Sequence, residues 1–246
     1  MRRMDNQYAA EIRMRRGCCA AQGCVVYKMC AARGRGNLIR EYKDKPGKVV
    51  AVGLNYRDHA TEFNMPLPQE PILFIKPSTA VIHDGGLIVY PKGATRVDYE
   101  AELGVVIGRD CRRVRAEDAM DFIEGFTCVN DVTERHMQGR DGQWTRAKSF
   151  DTFCPIGPVV TDEINPGAVG VRCYLNGEQK QKSHTGNLIF TVEKIIEFVS
   201  GVMTLEKGDV IATGTPSGVG PMSPGDKAAV EIDGIGRLVN RVVAEQ

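Results

Sequence analysis

Val97-Asp98-Tyr99-Glu100-Ala101-Glu102-Leu103-Gly104-Val105-Val106-Ile107-Gly108 is the run from which the rest of the chain is read. Its alternation and its β-branched end predict a β-strand. Val97, Tyr99, Ala101, Leu103 and Val105 fall on one face. Asp98, Glu100 and Glu102 fall on the other, because successive strand side chains point to opposite sides. Neighbours on one face of a strand lie about 6.6–6.8 Å apart. Two carboxylates so placed repel each other unless something positive lies between them or one keeps its proton. Alternation leaves three readings open for the acids: a solvated face of an antiparallel sheet, a divalent-cation site, or a paired acid–base site.

On the C-terminal side, residues 116–126 predict an amphipathic helix with Ala119, Met120 and Ile123 inward. Phe126-Thr127-Cys128-Val129-Asn130-Asp131-Val132 reads as a buried strand with Asp131 near its end. An acid inside an apolar strand is costly unless paired or coordinated. Asp131 is therefore the natural third ligand of a cation, with a turn or capping role as the alternative. Residues 133–144 are polar and loop-like, carrying Glu134, Arg135, His136, Gln138, Arg140 and Asp141 and ending in the single Trp144. Lys148 follows between apolar stretches, and a buried lysine must find an anion.

On the N-terminal side, residues 48–53 form a short apolar strand. Residues 54–63 read as one or two helical turns ending before Pro66 and Pro68. His59 and Glu62 are three apart and share a face of such a turn. A carboxylate beside an imidazole orients it and raises its basicity, which is how a general base is built. A plain surface pair is the alternative. Residues 71–77 form another strand, with Lys76 before its closing proline. Residues 81–83 and 87–90 predict a hairpin around Asp84-Gly85-Gly86.

Toward the end of the chain, residues 168–175 and Asn176-Gly177 read as a strand and hairpin turn. Residues 191–203 give the strongest helix, with Ile195, Ile196, Val199 and Met203 on one face. A strand at 209–212 leads into Thr213-Gly214-Thr215-Pro216-Ser217-Gly218-Val219-Gly220. Glycines at this density let a backbone approach a ligand and present N–H groups to an anion. No Gly-Lys-Ser/Thr follows, so this is not a Walker phosphate loop. Strands at 227–232 and 236–243 close the chain.

Composition bounds the classes. The 246 residues carry a net charge of +1, with 42% hydrophobic and 26% charged residues, an ordinary balance that argues for neither a nucleic-acid nor a membrane partner. No apolar run reaches the length of a spanning helix. Among the 8 cysteines there is no C-x-x-C pair and no zinc-like spacing. Cys111, Cys128, Cys154 and Cys173 read as reduced, buried thiols of an intracellular, cytoplasmic protein. Residues 1–45 stand apart as a basic, Cys-containing arm, disordered or targeting, and its Arg-rich, acid-poor start is also compatible with mitochondrial delivery. Residues 46–246 are read as the catalytic domain.

Six blocks then fall in order: Asn55-Tyr56-Arg57-Asp58-His59-Ala60-Thr61-Glu62, Phe74-Ile75-Lys76-Pro77, Glu100-Ala101-Glu102-Leu103, Asn130-Asp131-Val132-Thr133, Trp144 through Phe150, and the glycine-rich loop. In order and spacing they resemble the fumarylacetoacetate hydrolase family, above all its single-domain acylpyruvate hydrolases and oxaloacetate decarboxylases or tautomerases. The resemblance implies an α+β, β-rich fold: a mixed β-sheet roll of the fumarylacetoacetate hydrolase C-terminal-domain type with few helices, and a homodimer. It implies a metal triad of Glu100, Glu102 and Asp131 holding Mg²⁺ or Mn²⁺. It makes His59, Glu62 and Lys148 catalytic, and places Arg135, Gln138, Thr215 and Lys76 against a small 2-oxo acid substrate. The implied activity is C–C cleavage through a metal-stabilised pyruvate enolate, by acylpyruvate hydrolysis or oxaloacetate decarboxylation. Alternatives are a hydratase, decarboxylase or isomerase of unsaturated 2-oxo-dicarboxylates in aromatic catabolism, or a non-catalytic 2-oxo acid binder, which would lack a ligand or a base.

Overall fold

The 97–108 run folds as two strands, not one, with Glu100 at the break. The computed structural model describes residues 38–246, so most of the basic arm lies outside the described residues. In chain order the first strands are β1 Ile39–Glu41, β2 Lys48–Val52, β3 Leu73–Pro77, β4 Val81–Ile82, β5 Leu87–Tyr90 and β6 Val97–Tyr99. The central pair is β7 Ala101–Ile107 and β8 Ile123–Asn130. Then come β9 Thr133–Glu134, β10 Cys154–Thr161, β11 Gly170–Leu175, β12 Glu178–His184 and β13 Val210–Ala212. The last are β14 Gly220–Met222, β15 Lys227–Ile232 and β16 Gly236–Ala244. The α-helices are α1 Arg57–Glu62, α2 Arg135–Asp141, α3 Thr145–Lys148 and α4 Val192–Val202. This is the β-rich, mixed-sheet architecture with few helices that the resemblance implies.

The main sheet runs β1-β10-β8-β7-β13-β2-β3, with β4 added on β10; the second runs β12-β11-β15-β16-β5; a small third sheet is β14-β6-β9. Both faces of the main sheet are buried. Val50, Val52, Leu103, Val105, Ile107, Cys128 and Ile211 join one core cluster with the second sheet and α4. Their alternates Val49, Ala51, Val106, Val129, Val210 and Ala212 join the other. That is why these strands read as near-continuous apolar runs, and why the polar face of β7 is not solvated. β1 pairs with β10, and Tyr42 is buried, so the sheet extends further toward the N-terminus than Pro46.

Three local expectations change. Residues 116–126 do not form an α-helix: a 3₁₀ helix covers Ala116–Phe122, and β8 begins at Ile123, where pairing with β7 takes over. Residues 81–90 are not a hairpin. β4 pairs in parallel with β10 and β5 in parallel with β16, because the Asp84-Gly85 turn is tied to Val239 by two hydrogen bonds and the strands leave it for different sheets. Residues 135–141 are helical rather than loop, capped by the Glu134 carboxylate, which accepts the Met137 N–H. The hairpin at Asn176-Gly177 and the helix α4, capped by Thr191, form as expected. The four described cysteines are free and buried. Among the described residues, no helix is long and apolar enough to cross a membrane.

Candidate active site

Strand register assembles the acids. Antiparallel pairing sets Ala101 opposite Asn130, so Glu100 and Asp131 flank that pair at the same end of β7 and β8. The Asp131 N–H donates to the Glu100 carbonyl at 2.9 Å, and the Glu100 N–H donates to Asn130 Oδ1 at 2.9 Å. Glu102 lies two residues further along β7. Each of the three offers a carboxylate oxygen within 4.8 Å of the others. Glu100, Glu102 and Asp131 are 5%, 1% and 1% exposed, which removes the solvated-face reading.

Cations bond two of the three carboxylates, Glu100 and Asp131. Lys148 Nζ donates to Asp131 Oδ2 at 2.5 Å and to Glu100 Oε2 at 2.8 Å, with its ammonium 4.9 Å from the centre of the Phe74 ring. Lys76 Nζ donates to Asp131 Oδ1 at 2.5 Å and to the Val132 carbonyl at 3.0 Å. Arg135 donates from Nη2 to Glu100 Oε1 at 2.5 Å, from Nε to Asp98 Oδ2 at 2.9 Å, and from Nη1 to Gln138 Oε1 at 2.6 Å. Among the described residues, Glu102 receives only the Gly214 backbone N–H, at 2.8 Å on Oε2.

The charges respond accordingly. Burial pushes the Glu100 carboxyl up, but Lys148 and Arg135 outweigh it and hold it well below the usual carboxylate range. Burial, reinforced by Asp131 and Glu100, pushes the Glu102 carboxyl well above that range, against the weaker pull of Lys148 and the Gly214 N–H. Burial works against the Lys148 ammonium, yet Asp131 and Glu100 raise its pKa. Three converging buried carboxylates, one of them with no cation bonded to it among the described residues, are a donor set short of positive charge. All-oxygen ligands of this kind fit a hard divalent cation such as Mg²⁺ or Mn²⁺.

The His59–Glu62 pair forms on α1, with His59 Nδ1 3.0 Å from Glu62 Oε2. Glu62 also receives the Gly218 N–H at 3.1 Å, so the pair is fastened to the glycine-rich loop. Asp58 accepts Ser183 Oγ at 2.5 Å and steadies the same helix. Thr215 Oγ1 accepts from Gln181 Nε2 at 2.9 Å, and Gln181 Oε1 accepts the Ala101 N–H at 2.9 Å. The loop is thereby tied to the first residue of β7.

Glu100, Asp131, Lys148, Lys76, Arg135 and Gln138 thus form one bonded network, Glu102 converges on its carboxylates from the Gly214 N–H, and Thr215 is tied to the first residue of β7 through Gln181. His59 and Glu62 connect to it through the loop. Lys76, expected against substrate, is 0% exposed and bonded to Asp131 Oδ1 and the Val132 carbonyl. Three partners were not singled out from the sequence. Asp98, buried, clamps Arg135 and Arg96; its place in the acidic alternation was its only signal. Gln181 sits in a polar strand and carried none. Tyr56, at the N-cap of α1, is fully buried with its hydroxyl lacking a partner among the described residues, and burial, reinforced by Glu102 and Asp58, pushes that hydroxyl up.

The fold and this carboxylate–lysine site define a member of the family described as fumarylacetoacetate (FAA) hydrolase C-terminal, whose model matches residues 48–243; the chain belongs to that family. An uncharacterized protein of Archaeoglobus fulgidus is 58% identical over 198 residues, 80% of this chain and 79% of its own. A mitochondrial oxaloacetate tautomerase of Bos taurus is 43% identical over 211 residues, 81% of this chain and 67% of its own. The crystal structure of 5-carboxymethyl-2-hydroxymuconate delta-isomerase from Mycobacterium smegmatis superposes with a TM-score of 0.78 at 46% identity, covering 82% of this chain and 80% of that one.

Proposed function

We propose that the chain is a metal-dependent enzyme that cleaves a C–C bond in small 2-oxo acids through a pyruvate enolate, by acylpyruvate hydrolysis or oxaloacetate decarboxylation. The observation that carries this reading is the convergence of three buried carboxylates with Lys148 bridging two of them. Glu100, Glu102 and Asp131 would hold Mg²⁺ or Mn²⁺, which when bound supplies Lewis-acid charge opposite the oxygen on which negative charge develops.

The chain's own groups supply the rest. Lys148 donates to the same developing charge from a site where water is scarce and the interaction is strong. Arg135 is held by Asp98 and Glu100 and occupies Gln138 Oε1. The Gln138 amide N–H groups are left to bind a substrate carboxylate. Thr215 Oγ1 accepts from Gln181, so its own O–H is free to donate. For an acylpyruvate, His59 Nε2, with Nδ1 held by Glu62, takes a proton from water. The water oxygen attacks the distal carbonyl, and the C–C electron pair passes to the pyruvate fragment as the enolate. Protonation at C3 gives pyruvate beside a carboxylic acid. For oxaloacetate the same electron pair is left when CO₂ departs, and no water is needed.

A second reading has its own support. Relatives at 43% and 46% identity are named an oxaloacetate tautomerase and a delta-isomerase. In it the enolate of the intact substrate forms by loss of a C3 proton, and no C–C bond breaks. A paired steady-state assay on acetylpyruvate and oxaloacetate, with Mg²⁺ and with chelator, separates the readings. Chelator-sensitive release of pyruvate supports C–C cleavage. Chelator-sensitive keto–enol exchange without pyruvate supports tautomerisation. Turnover of neither moves the substrate to unsaturated 2-oxo-dicarboxylates. A homodimer belongs to the same reading, and sedimentation of the whole chain checks it.

A further inference from the structure

We propose that Lys76 sets which metal ion the site accepts, by restricting Asp131 to a single coordinating oxygen. This role rests on the metal-dependent reading above. Asp131 meets two lysines, one on each oxygen: Lys76 on Oδ1 and Lys148 on Oδ2, both at 2.5 Å. The two are not equivalent. Lys148 also bonds Glu100, so it lies between two of the three carboxylates, and an entering cation competes with it directly. It comes from a helix of only four residues, Thr145–Lys148. Oδ2 is therefore the oxygen that faces the triad.

Lys76 approaches from behind. Its strand is paired residue for residue with β2, Lys76 opposite Val49, which fixes the direction of its side chain. The side chain is 0% exposed, and among the described residues its ammonium touches no carboxylate other than Asp131; its remaining bond is to the Val132 carbonyl. A fully buried ammonium does not give up its one anion. Oδ1 therefore stays with Lys76 when a cation takes Oδ2.

Ion chemistry makes that constraint selective. Ca²⁺ takes six to eight oxygens in a flexible shell and gains from a carboxylate that gives both. Mg²⁺ is smaller, requires near-octahedral geometry and retains water, so one oxygen per carboxylate suits it. With Lys76 in place Asp131 offers one oxygen to either ion. Without it the carboxylate is free to turn and offer two, which helps only the larger ion. Losing a positive charge strengthens the binding of both ions, but both carry +2, so that effect cancels in the ratio of their affinities.

The test is calorimetric titration of metal-stripped protein with Mg²⁺ and with Ca²⁺, on the unmodified chain, Lys76→Met and Lys148→Met. In Lys76→Met the ratio of dissociation constants shifts toward Ca²⁺ by about tenfold or more, the scale on which partners of metal ligands act. In Lys148→Met both ions bind more tightly and the ratio holds. An unchanged ratio in Lys76→Met overturns the proposal. Should that variant fail to fold, the Ca²⁺-loaded crystal structure of the unmodified protein decides: Asp131 giving one oxygen, with Lys76 still on the other, supports it, and a bidentate Asp131 overturns it. Binding of neither ion by the unmodified protein overturns the metal centre itself, an outcome distinct from an unchanged ratio.

Discussion

Gly218 donates its backbone N–H to Glu62, 3.1 Å from Oε1, so the carboxylate that orients His59 is itself anchored on the glycine-rich loop. The imidazole is held from two elements that are far apart in sequence. This is the arrangement expected of a base that must present one nitrogen in a fixed direction.

His59→Ala removes the group that activates water. Acylpyruvate hydrolysis is expected to fall by roughly 10²–10⁴-fold in kcat, the range of general-base contributions. Oxaloacetate decarboxylation needs no water and falls far less. The check is the ratio of the two kcat values in variant and parent. Equal losses on both substrates would count against water activation and assign His59 to a step that both reactions share.

Glu102→Gln tests the metal site with little change of shape. Among the described residues Glu102 has no cationic partner, only the Gly214 N–H on Oε2, so no ion pair there is lost from the folded state. Metal affinity should drop by more than the roughly 10–100-fold that outer partners of a metal site are worth. Activity and the rise in Tm on adding Mg²⁺ should disappear together. A variant that keeps full chelator-sensitive activity would sink the assignment of Glu102 as a ligand.

Glu100 and Glu102, two residues apart, pull stability in opposite directions with pH. The Glu100 carboxyl is held below its ordinary value of 4.5 by Lys148 and Arg135 acting against burial, so its contribution is present above 4.5 and lost as pH falls below it. Burial with Asp131 and Glu100 raises the Glu102 carboxyl above 4.5. The folded chain then binds more protons than the unfolded one, and stability declines as pH rises from 4.5 through the raised value. The slope is at most about 1.4 kcal/mol per pH unit for one proton. A divalent cation removes this penalty by taking the place of the proton. The Tm shift produced by Mg²⁺ should therefore grow as pH rises from 4.5 through the raised value. A shift that stays flat across that range would mean Glu102 is already ionised without metal.

How much of this was legible in the sequence depends on where the deciding contacts come from. Glu100, Glu102 and Asp131 stood out because acids in apolar runs demand a partner, and Lys148 stood out for the converse reason. Their convergence follows from one local pairing, β7 with β8. Lys76 was visible as a lysine at a strand end, but its bond to Asp131 was set by the register of β3 on β2. The false hairpin at 81–90 failed for a similar reason: the partners of β4 and β5 are β10 and β16, which no local pattern encodes. Gln181 is a buried residue in an otherwise mostly exposed polar strand, so alternation gave no hint that it ties Thr215 to Ala101.

Gly214 and Gly225 make a matched pair for testing the loop. Both have a φ of +100°, a region that costs any other residue about 1 kcal/mol or more. A Cβ on Gly225 meets nothing within 4 Å, whereas one on Gly214 comes within 2.8 Å of the Asn55 Cβ and 3.2 Å of the Gly53 carbonyl oxygen. Gly225→Ala should therefore lose only the backbone term, lowering Tm by a few degrees, about 2–4 °C per kcal/mol for a chain of this size. Gly214→Ala should lose more, because Asn55 is itself fixed by hydrogen bonds to the Thr213 and Phe190 carbonyls and has little room to retreat. The displaced loop also carries the N–H that Glu102 accepts. Gly214→Ala should thus weaken metal binding as well as stability, and Gly225→Ala should leave metal binding alone. Thermal melts and Mn²⁺ titrations of the two variants, run side by side, measure both effects. Equal metal affinities would mean that Glu102 holds its position without the loop.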